Sequence, residues 1–324
     1  MLTAGANMKS IMFRSLIVVF AVITLSGCTK KSAGNNQTGQ ETITAILEFT
    51  PDELGYLQSL HNRGFITIAT RERSTIYEPN KYAQGEHGGI DYLIAKSFAD
   101  KIGVELRIIV VNSIREYFTY NGVEPNKDTE DGIVNGTITP YTPDIFTNAD
   151  IIVDGLGTSE WRRRIIRLVP TIPDKDVIVT RKDIELSTLE EIADYRVAIV
   201  PLTIYGSSIK RVEEALGLHF NFVEFSDTPD LCRAVSEGEA DVTAIAGFGA
   251  IIETNKYDNL KIAFPLGIVD YDHSHWAVSK ESEVLAVILE KYIEYAKRSG
   301  IYDTVFKDSL GITYNDFKAI IDGL

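Results

Sequence analysis

Strand-type and helix-type hydrophobic patterns alternate along most of this chain, and the alternation is the strongest constraint on its fold. Residues 65–70 alternate in polarity and are rich in β-branched side chains, which predicts a strand. Residues 90–102 carry apolar side chains at helical spacing and end before a glycine, which predicts a helix. Further strands are predicted at 104–111, 149–153, 196–200, 220–225 and 241–245, and further helices at 207–216, 228–236 and 284–299. This order predicts the α/β class with largely parallel sheets.

Composition excludes several classes of protein. Of the 324 residues, 44% are hydrophobic, which is too many for a disordered chain. The 46 acidic residues outnumber the 32 basic ones and give a formal net charge of −14. A general nucleic-acid binder is therefore excluded, because binding to phosphates needs a basic surface. Two cysteines are too few for a disulfide framework or a four-cysteine zinc site.

The first 27 residues are predicted to be a lipoprotein signal peptide. An apolar run at 15–24 follows Lys9 and Arg14 and is shorter than the roughly 20 residues of a membrane-spanning helix. The run leads into Leu25-Ser-Gly-Cys28, which resembles a bacterial lipobox. An ordinary signal peptide with an incidental cysteine is the alternative. We expect an exported protein, lipid-anchored through Cys28 to a bacterial membrane, in the periplasm or at the cell surface.

Two further segments stand apart from the regular pattern. Residues 28–55 begin with polar residues, so the lipidated cysteine and a flexible tether are predicted there. Residues 112–148 are polar and rich in turn-forming residues, which predicts a long surface loop with at most one short helix. Cys232 lies in a helical pattern, and we expect it to be buried and unreactive.

Five segments in order resemble the family 3 extracellular solute-binding proteins. Residues 64–70 resemble the first strand of that family, and residues 88–103 resemble its Gly-Phe-Asp helix. Residues 150–162 resemble its Gly-x-Thr-x-Thr-x-x-Arg ligand segment. Residues 238–241 resemble the Gly-x-x-Asp turn of the second lobe, and residues 275–306 resemble the C-terminal return.

This resemblance implies a two-lobed type II periplasmic-binding-protein fold with two crossover hinge segments. Lobe 1 is expected at 56–172 plus 275–324 and lobe 2 at 177–268, with the hinge segments near 174–176 and 270–272. A ligand would bind between the lobes and favour their closure.

One subgroup of relatives carries a further implication. Residues 70–77 and 98–103 look most like the binding module at the front of membrane-bound lytic transglycosylase F. In those relatives a separate catalytic domain follows the module, and we expect no such domain and no catalysis here.

The resemblance also implies which residues contact a ligand. Arg162 matches the arginine that grips a carboxylate, because its planar guanidinium fork fits two oxygens. The alternative for Arg162 is a solvated position in a run of three arginines. Ser159 would add a hydroxyl donor, Gly157 stands where the family has a threonine, and Thr203 offers either a donor from lobe 2 or a helix cap. Tyr77 is a candidate aromatic wall for the ligand.

Two departures from the family bear on the ligand. Ala246 stands where the family usually has an acid that pairs with an α-ammonium group, and Arg71 follows the first strand where many relatives have an acidic or polar residue. An unpaired buried ammonium is costly, so a standard α-amino acid is disfavoured and an anion is favoured by Arg71 with Arg162. Glu72, Glu160 or Asp91 would restore a negative partner if the cleft were shifted.

Other acids and histidines are assigned ordinary roles. Asp150 and Asp154 are expected to be solvated or capping acids. Asp272, His273 and His275 together suggest a metal site, but this segment lies by the predicted hinge, and a structural role is favoured. We predict no metal and no cofactor.

The expected protein is a monomer that captures a small polar or anionic, amino-acid-like solute and passes it to an ABC permease. A ligand sensor or regulator of cell-wall metabolism is the alternative function. An enzyme on the same fold, such as a dehydratase of cyclohexadienyl type, is a third hypothesis.

Overall fold

The computed structural model of this chain describes residues 43–201, 203–267 and 273–324. The predicted signal peptide, the predicted lipidation site at Cys28 and the predicted second hinge segment at 270–272 lie outside the described residues. In the described ranges, no helix has the length and apolar character needed to cross a membrane.

The strands and helices predicted from the hydrophobic patterns are present in the predicted order, and the structure adds four strands, at 166–173, 176–181, 260–265 and 273–279, and further helices. The strands are β1 (Phe65–Thr70), β2 (Glu105–Val110), β3 (Ile151–Leu156), β4 (Ile166–Pro173), β5 (Asp176–Arg181), β6 (Arg196–Ile199), β7 (Asn221–Glu224), β8 (Val242–Ala246), β9 (Leu260–Pro265) and β10 (His273–Ser279). The helices are α1 (Ile43–Ile46), α2 (Pro51–Arg63), α3 (Ile90–Ile102), α4 (Lys127–Asn135), α5 (Glu160–Ile165), α6 (Ile204–Leu216), α7 (Pro229–Glu237), α8 (Gly247–Lys256), α9 (Glu283–Arg298), α10 (Ile301–Leu310) and α11 (Tyr314–Gly323).

The first sheet has the strand order β2-β1-β3-β10-β4. Its strand β1 pairs in parallel with β2 and β3, whereas β10 runs antiparallel to β3 and β4. Helices α3, α9 and α10 pack in one hydrophobic cluster with this sheet, where the rings of Phe98 and Tyr292 have centroids 5.0 Å apart. Strand β10 follows all the strands of the second sheet in the chain but pairs with β3 and β4. The first sheet is therefore built from two separate parts of the sequence.

The second sheet has the strand order β7-β6-β8-β5-β9 and belongs to the same compact unit as the first. Strand β6 pairs in parallel with β7 and β8, whereas β5 is antiparallel to β8 and β9. The sheet contributes to two separate hydrophobic clusters. Cys232 on α7 is 2% exposed in one of them, and burial raises the pKa of its thiol to about 12, so it is buried as expected. The predicted class, α/β with two lobes, is confirmed. The prediction of largely parallel sheets is wrong, because each sheet has two parallel and two antiparallel strand pairs.

The chain passes from the first sheet to the second between β4 and β5. Asp174 lies at this crossing and accepts hydrogen bonds from the backbone N–H groups of Lys175 and Phe248, at 2.9 and 3.0 Å. Phe248 lies in the first turn of α8, and its ring centroid is 5.5 Å from that of Phe317 on α11. The crossing, α8 and the last helix are therefore joined in one packed junction.

The predicted tether is wrong for residues 43–55. Ile43 in α1 is 1% exposed, and α2 begins directly after Thr50, whose side chain forms a capping box with Glu53. Glu53 is also bonded to Lys291 on α9, at 2.7 Å. The Thr-Pro-Asp-Glu start of this helix is a cap signal in the sequence that the polar composition before it concealed.

Residues 112–148 are more structured than a surface loop. The segment contains α4 and two short 3-10 turns at 114–118 and 144–147. Tyr117 and Phe118 are almost fully buried and share a hydrophobic cluster with Trp161 of α5. The segment therefore forms a wall of the first lobe.

Gly89 sets the entry to α3 and allows a direct test of this local structure. Its φ of 100° is in a region that side-chain-bearing residues avoid, and a Cβ there would lie 2.4 Å from the carbonyl oxygen of Ile76. We expect Gly89→Ala to lower the free energy of unfolding by about 2–4 kcal/mol in urea titrations.

Gly136→Ala is the matched control for this substitution. Gly136 also has a positive φ, of 82°, but a Cβ placed there would meet no other atom within 4 Å. We expect the control to lose only about 1 kcal/mol, since it carries the backbone strain without the close contact. Equal losses in the two variants would contradict the close contact at Gly89.

Candidate functional site

A polar cavity of about 330 Å³ lies between α4 and α5 of the first lobe and α6 of the second. Its charged lining residues are balanced in sign. The acidic ones are Glu130, Asp131 and Glu160, and the basic ones are Lys127, Arg162 and Arg211. Hydroxyl groups come from Thr158, Ser159, Thr203 and Ser207. The cavity can therefore receive a small solute that carries charge and hydrogen-bonding groups.

Arg162 is the central cation of this cavity. It lies on the short helix α5, is only 8% exposed, and donates from Nη1 to the carbonyl oxygen of Gly157 at 2.9 Å. Its guanidinium lies 5.0 Å from the ring centre of Phe118 and 5.5 Å from that of Trp161. Burial lowers the pKa of Arg162 to about 10, so the group is still charged at neutral pH. Its Nε has no hydrogen-bond partner among the described residues.

Ser159 and Gly157 lie beside Arg162, as the ligand segment predicts. The Oγ of Ser159 is buried and has no hydrogen-bond partner in the described ranges. Gly157 contributes its carbonyl oxygen to hold Arg162. Two buried donors, the Nε of Arg162 and the Oγ of Ser159, thus lack a partner among the described residues and belong to residues that line the cavity. A buried donor without a partner is costly.

Thr203 lines the cavity from the second lobe, but its hydroxyl is already used. Thr203 Oγ1 donates to the carbonyl oxygen of Val200 at 2.8 Å and accepts from the backbone N–H of Gly206 at 3.1 Å. Thr203 is the N-cap of α6, which is the second of the two roles that the sequence left open for it.

Arg71 is not a free cation, in contrast to the prediction. Its Nε and Nη2 donate to Asp154 Oδ2 and Oδ1 at 2.6 and 3.0 Å, and the hydroxyl of Tyr117 donates to the same carboxylate at 2.9 Å. Burial by itself opposes the charge of Arg71, yet Asp154 raises its pKa above the ordinary value. The prediction that Asp154 is a solvated or capping acid is wrong, because this residue is 0% exposed. The pairing removes Arg71 from the argument for an anionic solute, which then rests on Arg162.

Tyr77 is not brought to the cavity. Its ring packs against His87 and Tyr92, with centroids 5.2 and 5.3 Å away, and the residue is 6% exposed in the hydrophobic core of the first lobe. Tyr77 was predicted as an aromatic wall for the ligand, but its ring packs against Tyr92 of α3 instead.

The three acids considered as alternative partners differ in their surroundings. Asp91 is buried and accepts a hydrogen bond from Trp276 Nε1 at 2.6 Å, so it is part of the core. Glu72 does not line the cavity. Glu160 lines the cavity but pairs with Arg164 at 2.6 Å.

One acidic residue of the cavity was not predicted from the sequence. Glu130 lines the cavity from α4, inside the segment that was predicted to be a loop. The start of α4 is visible in the sequence as Asn126 followed by Thr129, which form a capping box.

No metal centre is formed by the described part of the chain. Groups of three or more histidine, cysteine, aspartate or glutamate residues with metal-binding geometry are absent from these ranges. His275 Nδ1 lies 3.3 Å from the carbonyl oxygen of Leu156, while Asp272 lies outside the described residues.

The fold of this chain is similar to that of known two-lobed solute-binding proteins. A mutant of ArgBP from T. maritima superposes with a TM-score of 0.54 and 20% sequence identity over 79% of this chain and 99% of that one. The unliganded open L-cystine solute receptor of Neisseria gonorrhoeae gives a TM-score of 0.53 and 16% identity over 80% of this chain and 98% of the receptor. The chain has the type II periplasmic-binding fold. This confirms the fold expected from the five segments.

Curated relatives give a second likeness. Membrane-bound lytic murein transglycosylase F of Alcanivorax borkumensis is 24% identical over 75% of this chain and 47% of its own length. The protein of the same name from Aliivibrio fischeri is 22% identical over 95% of this chain and 55% of its own length. The chain therefore spans about half the length of the curated relatives it matches, and the expected likeness to this group is confirmed. No protein-family model matches the chain.

The buried carboxyl of Asp91 in the first lobe generates a prediction about pH. Burial raises the pKa of Asp91 to about 7 in the folded chain, and the charge of Asp154 raises it further, although the Trp276 bond acts against this shift. The folded state therefore keeps a proton that the unfolded state releases near its ordinary pKa of 3.8. The stability due to this proton is fully present below that value and is lost as the pH rises from there through 7.

We expect Asp91→Asn to remove this loss, since the amide oxygen still accepts from Trp276. As the pH rises from 4 to 8, the unchanged protein should lose at least about 1 kcal/mol more of its free energy of unfolding than the variant loses. Chemical denaturation at several pH values measures the difference. Asp174, whose pKa burial also raises to about 7, is the same in both proteins and cancels. If the free energies of unfolding of the two proteins change with pH in the same way, Asp91 is not the group responsible for the loss.

Proposed function

We propose that this protein is a lipid-anchored, extracytoplasmic solute-binding protein without catalytic activity. It captures a small polar or anionic, amino-acid-like solute between its two lobes and delivers it to an ABC permease. The observation that carries this proposal is the buried Arg162, which lines a cavity between the lobes and is not balanced by a bonded acid in the described residues.

The physical argument rests on the cost of a buried charge. A guanidinium removed from water loses several kcal/mol of hydration, which an ion pair or a set of hydrogen bonds must offset. Gly157 and the rings of Phe118 and Trp161 offset only part of this cost, because they carry no full negative charge. A carboxylate of the solute would supply two acceptor oxygens in the planar geometry that the arginine fork matches.

Closure of the lobes is the proposed response to binding. Residues on α5 and α6 line the same cavity from opposite lobes, so a solute that contacts both favours the closed form over the open one. The similar structures include a substrate-binding protein of an amino acid ABC transporter, which supports a permease as the partner. We propose that the protein acts as a monomer and is attached to the membrane through Cys28.

A second candidate function is a ligand sensor or regulator of cell-wall metabolism. It is favoured by the curated relatives that carry the name membrane-bound lytic murein transglycosylase F. In this function the closed form would be recognised by a cell-wall enzyme rather than by a permease. Co-purification separates the two, because a murein enzyme retained only in the presence of solute supports the sensor, and a permease supports transport.

The role of Arg162 is tested by calorimetry with amino acids, dicarboxylates and muropeptides, after mass spectrometry of any solute retained by the purified protein. We expect one of these classes to bind, with compaction in small-angle scattering. Arg162→Ala should weaken that binding at least 30-fold, about 2 kcal/mol, and Arg162→Lys should give an intermediate loss because it keeps the charge but not the fork.

Arg163→Ala is the matched control, since Arg163 is the exposed neighbour on the same helix. We expect it to bind like the unchanged protein. Neither heat nor compaction with any class, and no retained solute, would overturn solute binding. If Arg162→Ala binds the solute as tightly as the unchanged protein, Arg162 does not contact the solute.

A further inference from the structure

The side chains around Arg162 define the charge pattern of the solute more closely. We propose that Glu130 binds a cationic group of the solute, so that the cavity selects a zwitterion whose carboxylate lies on Arg162 and whose ammonium or guanidinium group lies on Glu130. This inference rests on the proposed function and concerns the same cavity.

Glu130 is held in place by the architecture of α4. Asn126 caps the helix, with its Oδ1 accepting from the backbone N–H of Thr129 at 2.9 Å. Helix α4 is joined to α5 by Arg164, whose Nη1 donates to the carbonyl oxygen of Ile133 at 3.1 Å. Because α5 also carries Arg162, the acid and the arginine are fixed on two packed helices of the same lobe, and both line the cavity.

Glu130 is the lining acid that has no basic partner of its own. Asp131 pairs with Lys127, and Glu160 pairs with Arg164. Within the described ranges no hydrogen bond or ion pair joins the carboxylate of Glu130 to another side chain, although the residue is half-buried. Burial raises the pKa of Glu130, and Arg162 is the leading charge that acts against this rise. The two groups therefore interact through space without forming a direct pair.

A solute placed between the two groups would satisfy both. Arg162 has an unpartnered Nε and Ser159 an unpartnered Oγ among the described residues, and these donors suit a carboxylate. Glu130 then supplies acceptor oxygens for a cation elsewhere in the same cavity. A second carboxylate placed beside Glu130 would be repelled by its charge, so a cation is favoured at that position.

The position of Glu130 also accounts for the alanine at residue 246. The family resemblance places an acid at Ala246, next to the start of α8 in the second lobe, to hold the ammonium group of the solute. Here the acid comes from the first lobe, from the segment at 112–148 to which the sequence assigned no role. Both charged ends of the solute would then bind one lobe, and the second lobe would add contacts from Ser207 and Arg211 on closure.

The test compares solutes that share a carboxylate and differ in the cation. Calorimetry would use L-alanine, γ-aminobutyrate and L-arginine as zwitterionic or cation-bearing solutes, and propionate and succinate as solutes without a cation. The protein should bind at least one cation-bearing solute more tightly than propionate or succinate. Glu130→Gln should weaken the binding of that solute about 10- to 100-fold and reduce the preference for it over propionate and succinate, because an amide cannot replace the charged acceptor.

Two further variants keep the test sharp. Glu130→Asp retains the charge and should keep the preference for a cation, even if affinity falls. Asp128→Asn removes an exposed acid from the same helix, outside the cavity, and should bind every solute as the unchanged protein does. Thermal unfolding of each variant checks that the fold is preserved.

The outcomes separate this inference from the proposed function. Tighter binding of propionate or succinate by the unchanged protein, or an equal preference in Glu130→Gln, overturns the role of Glu130 but leaves solute binding in place. Absence of binding by the unchanged protein to every solute, together with no retained solute on mass spectrometry, overturns the proposed function and this inference with it.

Discussion

The buried carboxylate of Asp154 is the interaction on which the core of the first lobe depends. It lies within β3, binds both donors of the Arg71 fork, and accepts the hydroxyl of Tyr117. Three chain segments that are far apart in sequence thus meet at one side chain. Removing one partner of such a buried pair costs about 3–5 kcal/mol, because the other charge is left without compensation. The Asp154 carboxylate therefore joins the ends of β1 and β3 to the segment at 112–148.

Charge balance also separates structural groups from groups available to a solute. Arg71 and Arg162 both have guanidinium groups largely removed from water, yet Arg71 has a carboxylate partner and Arg162 has only a carbonyl oxygen and two aromatic rings. Glu130 is the corresponding acid without a bonded partner among the described residues. Because a buried or half-buried charge is costly until water or an opposite charge compensates it, we propose that these two residues bind a ligand.

The hydrophobic patterns predicted six of the ten strands among the described residues and four of the helices, because burial periodicity is encoded within a few residues. The ligand segment was identified by its family resemblance, and the structure places Ser159 and Arg162 of this segment in the lining of the cavity. The same reasoning failed for Arg71 and Tyr77, whose partners come from other parts of the chain. Composition outweighed the cap signal at Thr50 for residues 43–55. It also left the one short helix allowed within 112–148 without a position, although Asn126 caps its start.

The sequence by itself determined the alternation of strand and helix, the two-lobed class and the arginine at the end of the ligand segment. Only the tertiary structure decided which charges are neutralised within the protein. That decision depends on distances between residues such as Arg71 and Asp154, which are 83 positions apart. It also brought Glu130 and Arg162 to one cavity by packing α4 against α5. Electrostatic compensation acts through space over a few ångströms, so the order of residues along the chain cannot specify it.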